Sequence, residues 1–452
     1  MSQIVYDLAV SGNIVLGDAV LENSTVLVKA GRVAAISDTR EGFRAEKTID
    51  AGQKYIFPGA IDVHVHSLSY PGEGFTYATR SASAGGVTTI VDMPVDAPEG
   101  IATPEALQAK IKLVERDSVV DVALLGSVKN GTSQHIPALK ENGVCGFKLS
   151  LFDTDPNRFP RVNDGELLEA FELIRETGYS AGVHAENDEI IKLLIEQYQA
   201  AGKTYPRAHC ETRPECSETE SALKGLEIAR AAGVRFHIYH VSCARTVDLL
   251  KRYKEEGCDF TAETCPHYLI FSEEDIDRLG GKLRCNPPVR KKEDVAALWQ
   301  MLEAGEIDLV SSDHAPWPEE KKVAENIFEN LCGAPGVEML LPLMYSEGVT
   351  KGRISLATLN RILMETPARF SRLYPQKGNL NPGSDADMVI FDPEQKWTVR
   401  GSDQHSAAGW TPYEGMELTG RVQTTIVRGQ VVYDQGDVVV EPGFGNFVKP
   451  QR

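Results

Sequence analysis

The sequence predicts an α/β protein: a (β/α)8 TIM barrel over residues 58–376, joined to a small β-sandwich domain built from both chain ends, 1–57 and 377–452. Three observations predict it. Eight short apolar runs alternate with helical patterns through the middle of the chain. Both ends are instead rich in β-branched runs punctuated by Gly and Asn. Residues fit for metal or proton chemistry gather where the apolar runs stop, as they do at the mouth of a barrel. The 452 residues suffice for a barrel, which takes about 250 or more, and a smaller partner.

The first 57 residues hold YDLAVSGNIVL, STVLVKAGRVAAI and KTIDAGQKYIF, and the last stretch answers with ADMVIFD, TTIVRGQVVYD and DVVVEPG. Pairing the two sets brings the termini together. Between them, strand candidates recur at 60–66, 87–94, 120–127, 144–151, 179–186, 236–242, 259–267 and 308–315. Helical patterns separate them. In NDGELLEAFELIRETG, Asn163 caps the helix, Glu166 completes a capping box, Leu167, Leu168, Phe171 and Ile174 share one face, and Gly178 ends it. TPEALQAKIKLVERD, ETESALKGLEIARAAG, ARTVDLLKRYKEEG and KEDVAALWQMLEAG read the same way, and 333–376 reads as further helices. A doubly wound open sheet is the competing architecture. It would carry a glycine-rich phosphate loop after an early strand, and none stands in such a place.

The first barrel strand, AIDVHVH, ends in His64 and His66. On an extended strand they share a face, about 6 to 7 Å apart, and can hold one metal ion or simply be the polar end of a strand. Later strands bring Lys148, His184 with Glu186, His237 and His240, His267, and Asp313 with His314. Seven of the ten histidines thus fall at strand ends; His135, His209 and His405 do not. That set exceeds the needs of one zinc ion with an open position, so two ions are the economical reading. Lys148, if central, would repel both ions as an ammonium but could bridge them as a carbamate; a buried lysine paired with Asp or Glu is the alternative. His237 precedes His240 by three residues and on a strand should face the other way. With His267 and His314 it is read as a partner fixing a ligand or as a core histidine.

A formal net charge of −18 argues against nucleic-acid partners, and no run reaches the ~20 apolar residues of a membrane span. The N-terminus lacks the pattern of a signal peptide, so the expected location is cytoplasmic. Eight scattered cysteines without a CxxC pair read as buried thiols.

Taken together, DVHVH, GFKLS, VHAEN, YHVS, ETCPHY, CNPPVR, SDHAP and GNLNPGSDADMVIFD resemble the cyclic amidohydrolases: hydantoinases, dihydropyrimidinases, allantoinases and dihydroorotases. The C-terminal run VRGQVVYDQGDVVVEPGFGNFV is most similar to the hydantoinase and allantoinase branches. The resemblance implies two Zn2+ per subunit, with Mn2+ or Co2+ able to substitute, and CO2 to carboxylate Lys148. It puts His64, His66, Lys148 and Asp313 at one ion and Lys148, His184 and His240 at the other. It also implies water attack on a ring amide carbonyl, Asp313 carrying the proton to the departing nitrogen, and Asn286 at the substrate ring. Phe152 and Tyr70 are expected to line the pocket and suit an apolar 5-substituent. The reaction expected is opening of a hydantoin or dihydropyrimidine to an N-carbamoyl amino acid, with allantoin as the alternative substrate. A non-catalytic scaffold on the same fold is disfavoured because every ligand position is filled. The resemblance further implies a homotetramer or dimer. Two departures matter. Leu68 stands where dihydroorotases carry the arginine that pairs with the substrate carboxylate, and KLSLFDTDPN lacks the tyrosine that helps many dihydropyrimidinases stabilise the oxyanion.

Overall fold

The computed structural model describes residues 4–451. Four strands open the chain, β1 (Val5–Leu16), β2 (Ala19–Lys29), β3 (Arg32–Ser37) and β4 (Arg44–Pro58). The barrel strands follow: β5 (Ala60–Val65), β6 (Val87–Asp92), β7 (Asp121–Leu124) and its short continuation β8 (Gly126–Ser127), β9 (Phe147–Ser150), β10 (Ser180–His184), β11 (Arg235–Ile238), β12 (Phe260–Thr264) and β13 (Leu309–Val310). The chain closes with β14 (Met388–Thr398), β15 (Glu417–Val427), β16 (Gln430–Asp434) and β17 (Asp437–Val438).

All eight apolar runs of the middle become parallel neighbours, in the orders β5-β6-β7 and β8-β9-β10-β11-β12-β13. Backbone bonds close the ring. Cys145 N donates to Leu124 O at 2.8 Å, and at the other seam His66 N donates to His314 O at 2.8 Å and His314 N to His64 O at 3.2 Å. The third strand is interrupted at Leu125, and upstream of that point the C-terminal tail pairs with β7 at Val122. Val122 N donates to Asn446 O and Val448 N to Val122 O, both at 2.9 Å. A small apolar cluster that includes Ile61, Val63, Val91, Leu125, Tyr239 and Leu309 fills the barrel, joined by Ala368 and Leu373 from the helical linker.

The helices fall where their sequence punctuation puts them. Asn163 accepts from Glu166 N at 3.1 Å and Gly178 ends the helix at φ 73°, as read from the sequence. The capping box is only half made, because the Glu166 carboxylate turns away to accept from Gly131 N. The linker is helical but partly π-wound, at Met344–Val349 and Arg361–Glu365.

The chain-end strands pair with one another across the whole sequence. They form one continuous, curled mixed sheet in the order β17-β16-β15-β14-β4-β1-β2-β3, with β1 and β4 parallel. The sheet wraps its own core, drawn from both ends of the chain: Val10, Ile14, Val26, Ile56, Met388 and Ile426. All eight cysteines are free, and no helix among the described residues is long and apolar enough to cross a membrane.

Candidate metal centre

Six side chains converge at the C-terminal ends of the barrel strands. His64 sits near the end of β5 with His66 just beyond it, Lys148 lies within β9, and His184 is the last residue of β10. His240 and Asp313 lie past the ends of β11 and β13, both on left-handed backbone, at φ 42° and 50°. Such a conformation costs a non-glycine residue on the order of 1 kcal/mol or more and concentrates at functional sites. It also corrects one sequence expectation. His237 and His240 both turn inward, because β11 ends at Ile238 and the backbone twists before His240.

The distances define two groups. Lys148 Nζ is 2.7 Å from His64 Nε2, while Asp313 Oδ1 lies 3.2 Å from His64 Nε2 and 3.5 Å from His66 Nε2. His184 Nδ1 and His240 Nε2 face each other at 3.0 Å. The His64 and His240 rings are 5.3 Å apart, so the groups adjoin.

Three of the four histidines have their tautomer set from behind. His64 Nδ1 donates to Glu263, a fully buried carboxylate on β12. His184 Nε2 donates to Glu186 at 2.9 Å, and Arg213 holds Glu186 at 2.9 Å. Ser69 Oγ gives its own proton to Val95 O at 2.8 Å and so accepts from His66 Nδ1 at 3.1 Å. Each commitment leaves the other ring nitrogen as a bare lone pair aimed into the site, the arrangement that orients histidine ligands of metals. His240 Nδ1 is buried with no hydrogen-bond partner among the described residues.

Electrostatics agree with that reading. Burial drives His64 and His240 well below the usual imidazole range, so they stay neutral and able to ligate. Burial also brings Lys148 down to about 8, with Asp313 and Glu263 pulling the other way. A share of its amine is therefore unprotonated near neutral pH. Burial works to raise Asp313, but His66, Lys148 and His267 hold it below the usual carboxylate range. The donor set, imidazole nitrogen with carboxylate oxygen and a neutral amine, suits zinc, manganese or cobalt. His64, His66 and Asp313 can present ligand atoms all within 4.8 Å of one another.

The remaining strand-end residues have supporting places. His314 accepts from Gly336 N at 3.0 Å and faces Glu73 at 3.3 Å, so it is a core tie. His237 stacks on Phe370 at 4.4 Å and points toward Glu263. His267 is buried, with Nε2 unpartnered among the described residues.

A cleft opens over this centre. Asn286 lines it, with a buried Oδ1 that has no partner among the described residues. Phe152 and Tyr70 lie outside the lining. The Phe152 ring packs 5.0 Å from the Arg213 guanidinium, and Tyr70 stands 6.1 Å from Trp317. The wall is formed instead by Val95, Thr154, Arg158, Phe159 and Trp317, together with Cys332. Glu263, Arg213, Val95 and Trp317 were not singled out from the sequence.

The model of the Amidohydrolase family matches residues 55–432. The chain is 38% identical over 451 residues to the L-hydantoinase of Paenarthrobacter aurescens, covering 98% of each, and 36% identical over 451 residues to an allantoinase of Rubrobacter xylanophilus, covering 99% of this chain and 98% of that one. Among solved structures, the L-hydantoinase (dihydropyrimidinase) from Arthrobacter aurescens superposes with a TM-score of 0.96 at 38% identity, covering 98% of this chain and 100% of that one. The strand-end histidines, the barrel that gathers them and a family match spanning most of the sequence lead to one assignment: the chain belongs to the amidohydrolase family.

Proposed function

We propose that the protein is a metal-dependent cyclic amidase that hydrolyses the ring amide of a hydantoin or dihydropyrimidine to an N-carbamoyl amino acid. The observation that carries the proposal is the set of lone pairs fixed from behind by Glu263, Glu186 and Ser69 and converging beside Lys148 and Asp313. In this reading His64, His66, Lys148 and Asp313 would hold one dication and Lys148, His184 and His240 the other, and carboxylation of Lys148 by CO2 would give it the negative charge that two neighbouring dications require. Zinc is the expected metal, and manganese or cobalt fit the same donors. Bound there, the ions supply Lewis acidity and bring the acidity of water near neutral pH.

The chain's own groups do the rest. Asp313 takes the proton of the attacking water and delivers it to the ring nitrogen as the C–N bond breaks, leaving a carboxylate and a free ureido end. Asn286 orients the ring, and Phe159 and Trp317 keep water from its far side. Phe152 and Tyr70 act one step back, packing against Arg213 and Trp317. Residues 58–376 form the catalytic unit and 1–57 with 377–452 the composite β unit. The protein is read as a cytoplasmic homotetramer or dimer acting on a small cyclic amide.

Allantoin is the second reading, favoured by the allantoinase relative and by the Arg158 guanidinium in the cleft wall. The test is elemental analysis with turnover of hydantoin, dihydrouracil and allantoin. About two ions per chain and ring opening are expected, with both falling in Lys148→Ala. Ring opening by metal-free protein would refute the proposal.

A further inference from the structure

We infer that Arg158 selects ring substrates whose exocyclic substituent carries an sp2 oxygen acceptor, a carboxylate or a carbonyl, over those bearing alkyl or aryl groups. The inference rests on the cyclic-amidase reading and adds to it the chemistry of the substituent. Arg158 sits near the tip of a tight turn after β9. Phe159 N donates to Asp155 O at 2.9 Å, and Asp155 Oδ1 accepts from the backbone N of Asn157 at 3.0 Å and of Arg158 at 2.9 Å. The guanidinium is clamped from two sides. Its Nε donates to Asp155 Oδ2 at 2.9 Å and its Nη1 to Ser69 O at 3.1 Å, so the loop that carries His66 also holds this side chain.

A guanidinium has five N–H groups. Two are used here, and Nη2 has no protein acceptor among the described residues. Asp96, the other carboxylate whose charge it feels, is bonded to Lys110 Nζ at 2.7 Å. Arg158 therefore lines the substrate cleft as a fixed cation, 20% exposed, with donors unspent. Val95, Phe159 and Trp317 line the same cleft, and a hydrogen bond made among them is strengthened by poor solvation. An alkyl substituent placed there would strip water from those donors and return nothing. A carboxylate or carbonyl oxygen would satisfy them, and the planar fork suits a carboxylate through two bonds.

The test compares kcat/KM of the zinc-loaded enzyme on 5-(2-carboxyethyl)hydantoin, 5-(2-carbamoylethyl)hydantoin, allantoin, 5-benzylhydantoin and the shape-matched 5-(3-methylbutyl)hydantoin. An acceptor-bearing ring is expected to exceed the methylbutyl control by roughly 10- to 100-fold, the range of a charge-assisted hydrogen bond. The ratio is expected to fall toward one in Arg158→Met, while Arg158→Lys keeps part of the preference for the carboxylate. Carboxyethyl above carbamoylethyl identifies an anionic substituent, and parity identifies a neutral carbonyl; either supports the inference. Benzyl or methylbutyl rings favoured in the wild type, or a selectivity ratio unchanged in a folded Arg158→Met, overturns it. If the wild type opens none of these rings and neither hydantoin nor dihydrouracil, the cyclic-amidase reading itself fails.

Discussion

Glu263 spends its carboxyl group on two segments of the candidate centre at once: it accepts from His64 Nδ1 and, at 3.3 Å, from the backbone N of His240. It thus fixes the tautomer of one histidine and steadies the left-handed backbone of another. Glu263→Gln keeps the shape and replaces one acceptor oxygen by an amide nitrogen. Metal affinity is expected to fall about 10- to 100-fold, the usual cost of losing such a partner, and competition against a chelator measures it. An unchanged affinity would show that His64 is held by packing alone. How far these residues could be read from the sequence follows from the same geometry. His64, His66 and His184 are legible because strand periodicity aims them, and Lys148 because it interrupts an apolar strand. Glu263 is obscure because its partner lies 199 positions away, and the shared inward orientation of His237 and His240 is obscure because strand periodicity cannot foresee a positive φ. Phe152 looked like a pocket residue from its place after Lys148. The chain turns so that Thr154 and Phe159 reach the cleft while Phe152 packs on Arg213.

Between β14 and β15 the chain leaves the sheet and runs over the barrel, a segment the sequence marks only as part of a β-rich end. It is tied down at three points. Glu73 accepts from Ser406 Oγ at 3.0 Å and Ala407 N at 2.8 Å, Trp410 Nε1 donates to Trp317 O at 2.8 Å, and His405 bridges barrel and sheet. His405 Nδ1 faces Glu338 Oε1 at 3.2 Å and its Nε2 faces Gly436 O at 3.2 Å. Both nitrogens meet acceptors, so only the imidazolium satisfies both. The Glu338 hydrogen bond raises His405 above the usual imidazole range despite partial burial and the opposing charge of Arg80. Because the folded value is the higher one, the stabilisation is complete below the unfolded value of about 6.5 and is lost as pH rises through the folded value. Thermal melts from about pH 6 to 8 should therefore show a larger loss in the wild type than in His405→Gln. Equal slopes would remove His405 from the account. This tether was illegible because Glu338 lies 67 positions earlier, on another element. Helix ends were legible, since Asn163 and Gly178 act within their own turn.

At the scale of the molecule, barrel and sheet are joined by a buried charge cluster that neither half satisfies alone. Lys377 Nζ, at the return from the helical linker, sits 2.7 Å from Asp121 on β7, 2.7 Å from Asp387 and 3.2 Å from Asp385. Arg428, after β15, also pairs with Asp121 and donates to Phe444 O at 2.7 Å, and Asn446 N donates to Asp121 at 3.0 Å. The tail that pairs with β7 is therefore locked by the same carboxylate that receives Lys377. The Lys377 side chain is 2% exposed, so removing its charge leaves acids that water cannot reach. Lys377→Met is expected to lower the unfolding free energy by about 3–5 kcal/mol, the cost of orphaning a buried charge. Lys29→Met breaks an exposed pair with Asp7, the two side chains 49% and 40% exposed, and should leave the unfolding curve close to that of the wild type. Urea unfolding followed by tryptophan fluorescence compares the two. If Lys377→Met unfolds within about 1 kcal/mol of the wild type, the cluster is no joint and the two halves are held by apolar packing alone.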